Sequence, residues 1–114
     1  MEPIELVHVI TDAISERLGS HIAVLDMNEV SLLADYFILC NAESTPQFRA
    51  ILDEVVDQTR AAGERPLHTE GAPESGWVLV DYGAVVLHIF DPELRAYYDL
   101  EGLWKKARLV VQIM

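Results

Sequence analysis

The stretch GWVLVDYGAVVLHIFDP, residues 76–92, decides the fold of this 114-residue chain. Its two apolar runs, WVLVDYG (77–83) and AVVLHIF (84–90), have strand length, and each is apolar on both faces, which predicts cover from both sides of a sheet. The two-residue period of a strand over 77–83 puts Trp77, Leu79 and Asp81 on one face and Val78, Val80 and Tyr82 on the other. At the exit, Asp91 can cap a helix and Pro92 can take its first position, where a missing N–H costs nothing, so ELRAYY reads as a short helix.

Working outward, residues 3–18 place Val7, Ile10, Ala13, Ile14 and Leu18 at helical spacing, with Gly19 as a left-handed stop. HIAVLDM (21–27) and DYFILCNA (35–42) read as strands. In STPQF, Thr45 is the expected cap and Pro46 the first helical residue. Ile51, Leu52, Val55, Val56 and Thr59 then make the apolar stripe of a second helix that Gly63 ends. PLHTEG (66–71) is a short strand candidate, APESG a loop, and DLEGLWKKA (99–107) another helical turn or two. The order is helix, two strands, helix, three strands, helix. It predicts an α/β fold with a single mixed β-sheet of about five strands and flanking helices, one domain over residues 1–114.

Composition excludes several classes of function. Eight Lys and Arg stand against 19 Asp and Glu, a formal net charge of -11, which opposes the phosphate neutralisation that nucleic-acid affinity needs. Such a field favours a basic protein surface as partner, although it also serves solubility alone. No run approaches the roughly 18–20 apolar residues of a membrane span, and the acidic first residues lack a secretory pattern. The single cysteine, Cys40, lies in the apolar run YFILC and reads as a small core residue suited to a reducing cytoplasm.

Catalytic chemistry finds little support. His8, His21, His68 and His88 share no ligand spacing, so no metal site is expected, and His88, in phase with Val86 and Phe90, reads as a hydrogen-bonded strand histidine. No serine has elbow glycines, and no phosphate-binding loop is present. Gly19-Ser20 before a strand ending in Asp26 faintly suggests a nucleotidyltransferase, but the second carboxylate position is Asn28, a weaker ligand, and the spacing is too short. Asp91-x-Glu93 and Asp99-x-Glu101 fall at helix starts, where capping accounts for them.

Four stretches in order, LADYFILCNAES (33–44), AAGERPLHTEG (61–71), GWVLVDYGAVVLHIF (76–90) and YYDLEGLW (97–104), resemble the ribosomal silencing factors of the Iojap type. The tail KKARLVVQIM lies beyond these stretches. The resemblance implies a nucleotidyltransferase-like fold lacking the catalytic carboxylates, no enzymatic activity and no cofactor. It further implies a cytoplasmic translational repressor that binds the fourteenth large-subunit ribosomal protein and prevents the small subunit from joining under nutrient limitation. A role in large-subunit maturation and a homodimeric free form are also implied. Trp77 and Tyr98 are then the expected partner-binding anchors, with Leu79, Glu70, Asp81 and Asp91 as companions. The residues themselves leave open that Trp77 and Tyr98 pack the third helix onto the sheet. A metal-dependent nucleotidyltransferase and a dimeric scaffold for another basic protein are the competing functional classes.

Overall fold

The structure is a computed structural model that describes residues 1–103 and 108–113. Helix α1 (Pro3–Glu16) leads into the antiparallel strands β1 (Ser20–Asp26) and β2 (Tyr36–Asn41). Helix α2 (Thr45–Ala61) then crosses to β3 (His68–Glu70), a 3-10 turn (Pro73–Ser75), β4 (Trp77–Asp81) and β5 (Val85–Phe90). Helices α3 (Pro92–Tyr98) and α4 (Leu100–Leu103) follow, and β6 (Arg108–Ile113) closes the order. Among the described residues the strands form one sheet, β3-β4-β5-β2-β1-β6, mixed because β2 and β5 run parallel while the other pairs are antiparallel.

The core lies between one sheet face and the α1–α2 pair. Ile10, Ile14, Ile51 and Val55 from the helices meet Val24, Ile38, Val78, Val80, Leu87 and Ile89 from the strands, all buried. Cys40 is fully buried within it, as its sequence context predicts. A smaller cluster on the opposite face, Leu25, Leu39 and Phe90 with Met27, receives Leu94 of α3, Leu100 of α4 and Val30.

The structure corrects the sequence reading at several points. The sheet has six strands rather than about five, because part of the tail, 108–113, pairs with β1. Residues 104–107 of the expected last helical segment lie outside the described residues. β4 is fully covered on one face only: Val78 and Val80 are buried, whereas Trp77, Leu79 and Asp81 on the other face are half-buried. α1 ends at Glu16, and Leu18, exposed at φ 61°, adopts the left-handed conformation expected of Gly19. Gly19 is there for space, since a Cβ at that position would lie 2.3 Å from Ile14 Cγ2 and 3.2 Å from Ile51 Cδ1.

Ser44, not Thr45, caps α2, its hydroxyl accepting from Gln47 N at 3.2 Å. The extended backbone at Ser44 is the geometry a cap requires, and Thr45 is already helical. The Gln47 side chain accepts from Glu43 N at 2.7 Å and donates to the carbonyls of Arg17 and Leu18, so the start of α2 satisfies carbonyls released at the end of α1.

Candidate functional site

The half-covered face of β4 holds most of the site residues expected from sequence. Register sets their neighbours: Trp77 lies opposite Phe90, Leu79 opposite His88 and Asp81 opposite Val86 on β5, while Glu70 and His68 of β3 lie opposite Leu79 and Asp81. Gly71 permits the close return of the chain from β3. Its φ is +83°, and a Cβ there would stand 2.2 Å from the Trp77 carbonyl oxygen.

The Trp77 indole sits among three rings. It stacks on Phe90 with centroids 4.8 Å apart, and it meets Tyr98 of α3 at 4.9 Å in a tilted arrangement. Its Nε1–H donates to His88 Nδ1 at 3.2 Å. Trp77 and Tyr98 thus do pack α3 onto the sheet, yet both keep open surface: Trp77 is half-buried and Tyr98 is 44% exposed. Beside them a furrow of about 250 Å³ is lined by Glu70, Gly71, Trp77 and Leu79.

The acidic residues divide between two places. Glu70 is exposed at the furrow, 3.1 Å from His68 Nε2, and Asp81 stands 3.7 Å from the other nitrogen of that imidazole. Asp81 also accepts from Gly83 N at 2.7 Å, fixing the β4–β5 turn. Asp91 lies outside the furrow. Its Oδ2 accepts from Glu93 N and Leu94 N at 3.2 and 3.4 Å, the capping role, and it lines a separate cavity of about 290 Å³ with Ser44, Phe48 and Glu74. Glu74, close to Trp77 in sequence, lines that second cavity and pairs with Arg49 of α2.

One contributor escapes the sequence reading, and a second is read without its partner. Arg95 of α3, with its side chain 11% exposed, donates to Asn41 Oδ1 at 2.8 Å and to the His21 carbonyl, and grips Glu101 with Nε and Nη2. It ties α3 to the ends of β1 and β2, and only tertiary structure reveals those partners. His88 is legible as a hydrogen-bonded strand histidine, but its partner Trp77 lies on the neighbouring strand and becomes apparent only from register. Burial drives the His88 pKa down to about 4, because the enclosed site disfavours the charged ring.

Among the described residues no three His, Cys, Asp or Glu side chains gather as a metal site would require. Asp26 accepts from both the backbone and side-chain nitrogens of Asn28 at 3.0 and 2.9 Å, so the Asp-x-Asn pair builds a turn. The Cys40 thiol is pushed up to about 12 by burial, against a smaller opposing pull from Arg95, and is no nucleophile at neutral pH.

The chain is 43% identical over 97 residues to the ribosomal silencing factor RsfS of Bacillus subtilis (strain 168), covering 85% of this chain and 82% of that protein. It is 25% identical over 101 residues to the mouse protein named mitochondrial assembly of ribosomal large subunit protein 1, covering 86% of this chain and 44% of that one. The crystal structure of a Chromobacterium violaceum protein superposes with a TM-score of 0.88 at 33% identity, over 92% of this chain and 88% of that one. The family model described as ribosomal silencing factor during starvation matches residues 1–113, so the shared region extends into the tail that sequence reading set apart. With its fold matched to a solved structure and its residues matched to the family almost end to end, the chain belongs to the RsfS family of ribosomal silencing factors.

Proposed function

We propose that this protein is a non-enzymatic translational repressor that docks on the large ribosomal subunit through its fourteenth protein and blocks the small subunit sterically. The observation that carries this reading is the half-covered face of β4, where Trp77, stacked on Phe90 and in tilted contact with Tyr98, flanks a furrow bordered by Glu70. A partly exposed aromatic anchor becomes a strong contact once a partner desolvates it. The net charge of -11 adds attraction to a basic protein and repulsion from RNA. In this reading Trp77 and Tyr98 are the anchors, Leu79 and Glu70 line the furrow, and Asp81, on the same face of β4, adds a second acidic contact. Asp91 contributes by holding the start of α3, and hence Tyr98, in place.

The names of the relatives, a ribosomal silencing factor and a protein of large-subunit assembly, support the ribosome as the target and extend the proposal to large-subunit maturation. Action in the cytoplasm and a homodimeric free form belong to the same proposal. Sucrose-gradient sedimentation of separated subunits tests it. Added protein is expected to leave subunits apart and to travel with the large one, and Trp77→Ala is expected to weaken that co-sedimentation about tenfold or more while the fold persists. Undiminished subunit joining at saturating protein would overturn the repressor reading. Co-sedimentation unchanged by Trp77→Ala would remove the furrow as the docking site.

A further inference from the structure

We propose that His88 is a positioning residue for docking, holding the Trp77 indole in its binding orientation through a neutral, Nε2-protonated imidazole. The inference rests on the reading of Trp77 as the docking anchor. It begins from an anomaly in the packing of the sheet face. His88 is only 3% exposed and its neighbours are apolar or aromatic: Leu79 and Leu39 lie opposite it on β4 and β2, and the Phe37 ring lies 4.9 Å away. Its Nε2 is buried with no hydrogen-bond partner among the described residues. A buried polar atom without a partner opposes folding, and a leucine or phenylalanine would fill the same position without that cost.

What histidine adds there is an acceptor aimed at Trp77. An indole N–H can only donate, so the 3.2 Å contact requires Nδ1 to be unprotonated, which places the ring proton on Nε2. The same choice leaves the buried Nε2–H unpaired, so one arrangement accounts for both observations. Burial keeps the ring neutral at physiological pH, so the acceptor persists. The bond also fixes what stacking leaves free. Phe90 stacks on the indole at 4.8 Å and Tyr98 meets it at a tilt at 4.9 Å, and ring contacts of this kind tolerate sliding and flipping. The hydrogen bond to His88 selects one flip of the indole and thereby decides which edge faces the furrow. An anchor already held in its bound rotamer loses less freedom on binding.

The test combines spectroscopy with binding of three variants. In the unmodified protein, nitrogen-15 NMR is expected to show His88 as the Nε2–H tautomer near pH 7 and the Trp77 indole N–H protected from exchange. The Nδ1–H tautomer would overturn the proposal without any variant. His88→Phe, which keeps an aromatic ring and removes the acceptor, is expected to retain the fold, lose the indole protection and weaken co-sedimentation with the large subunit about fivefold to tenfold. His88→Asn, whose Oδ1 can stand where Nδ1 stood, is expected to recover part of the binding, a recovery that packing alone would not produce. If His88→Phe binds like the unmodified chain while Trp77→Ala does not, the positioning role falls and the docking site survives. If Trp77→Ala also binds normally, the docking reading itself is overturned.

Discussion

At the scale of single residues, burial does more to set chemistry here than any charged neighbour. His88 is the clearest case, with a folded pKa of about 4 against the ordinary 6.5. Above about pH 6.5 the imidazole is neutral in both folded and unfolded chains, and its full contribution to stability is present. As pH falls from about 6.5 toward 4 the unfolded chain takes up a proton that the folded ring does not, so stability declines, and below about 4 the decline from this group levels off. At about 1.4 kcal/mol per pKa unit the loss over that window is roughly 3 kcal/mol. Urea unfolding of the unmodified chain and of His88→Asn between pH 7 and 4.5 isolates it from the carboxylates. The unmodified chain is expected to lose stability more steeply, and parallel slopes would count against the buried neutral ring. The residue scale is also where sequence was least informative. The alternation of β4 put Trp77, Leu79 and Asp81 on one face correctly, but the partners that give them meaning, His88 at the indole nitrogen and Arg49 drawing Glu74 toward the second cavity, come from elements distant in the chain.

At the scale of elements, apolar runs located β1, β2, β4 and β5 and helical spacing located α1 and α2, because core-facing positions dominate those runs. In contrast α3, with no buried residue, was legible from Asp91 and Pro92 at its start, and the exposed β3 only as a short strand candidate. The ends were less legible. Ser44 and Thr45 are both competent caps, and backbone conformation decides between them; at the end of α1, lack of room beside Ile14 reserves residue 19 for glycine and leaves Leu18 to turn the chain. The apolar tail gave no period that tells strand from helix, and only pairing with β1 resolves 108–113. A second link between elements is the buried 2.8 Å hydrogen bond between Thr59 of α2 and the Tyr82 hydroxyl in the β4–β5 turn. Tyr82→Phe removes it, yet Thr59 can still donate to the Val55 carbonyl at 2.8 Å. A modest destabilisation of about 1 kcal/mol is therefore expected by denaturant titration, with the docking face unchanged. A loss several times larger would mean that Tyr82 carries more than this bond.

At the scale of the whole molecule, charge and shape act together. The helices α1 and α2 bury one side of the sheet, and the other side is closed by α3, α4 and Val30 over part of its area, leaving the aromatic group at β4 accessible on a strongly acidic protein. Attraction between that surface and a basic ribosomal protein is screened by ions over about 8–10 Å at moderate salt. Affinity for the large subunit is accordingly expected to fall several-fold between about 50 and 300 mM salt, chiefly through slower association. A flat response in a binding titration would mean that apolar contact alone drives docking.

The parallel pairing of β2 with β5 carries a kinetic consequence. Tyr36 lies opposite Val85, so the centre of the sheet forms only after the chain between them, α2 and the β3–β4 hairpin included, has been drawn into a closed loop. Distant pairings of this kind delay the folding nucleus, and a mixed topology is expected to reach the native state more slowly than a helical bundle of equal length. A nascent chain released from synthesis before β5 emerges has no partner for the inner edge of β2 or of β4, and it exposes two adhesive strand borders where the finished protein has a continuous sheet.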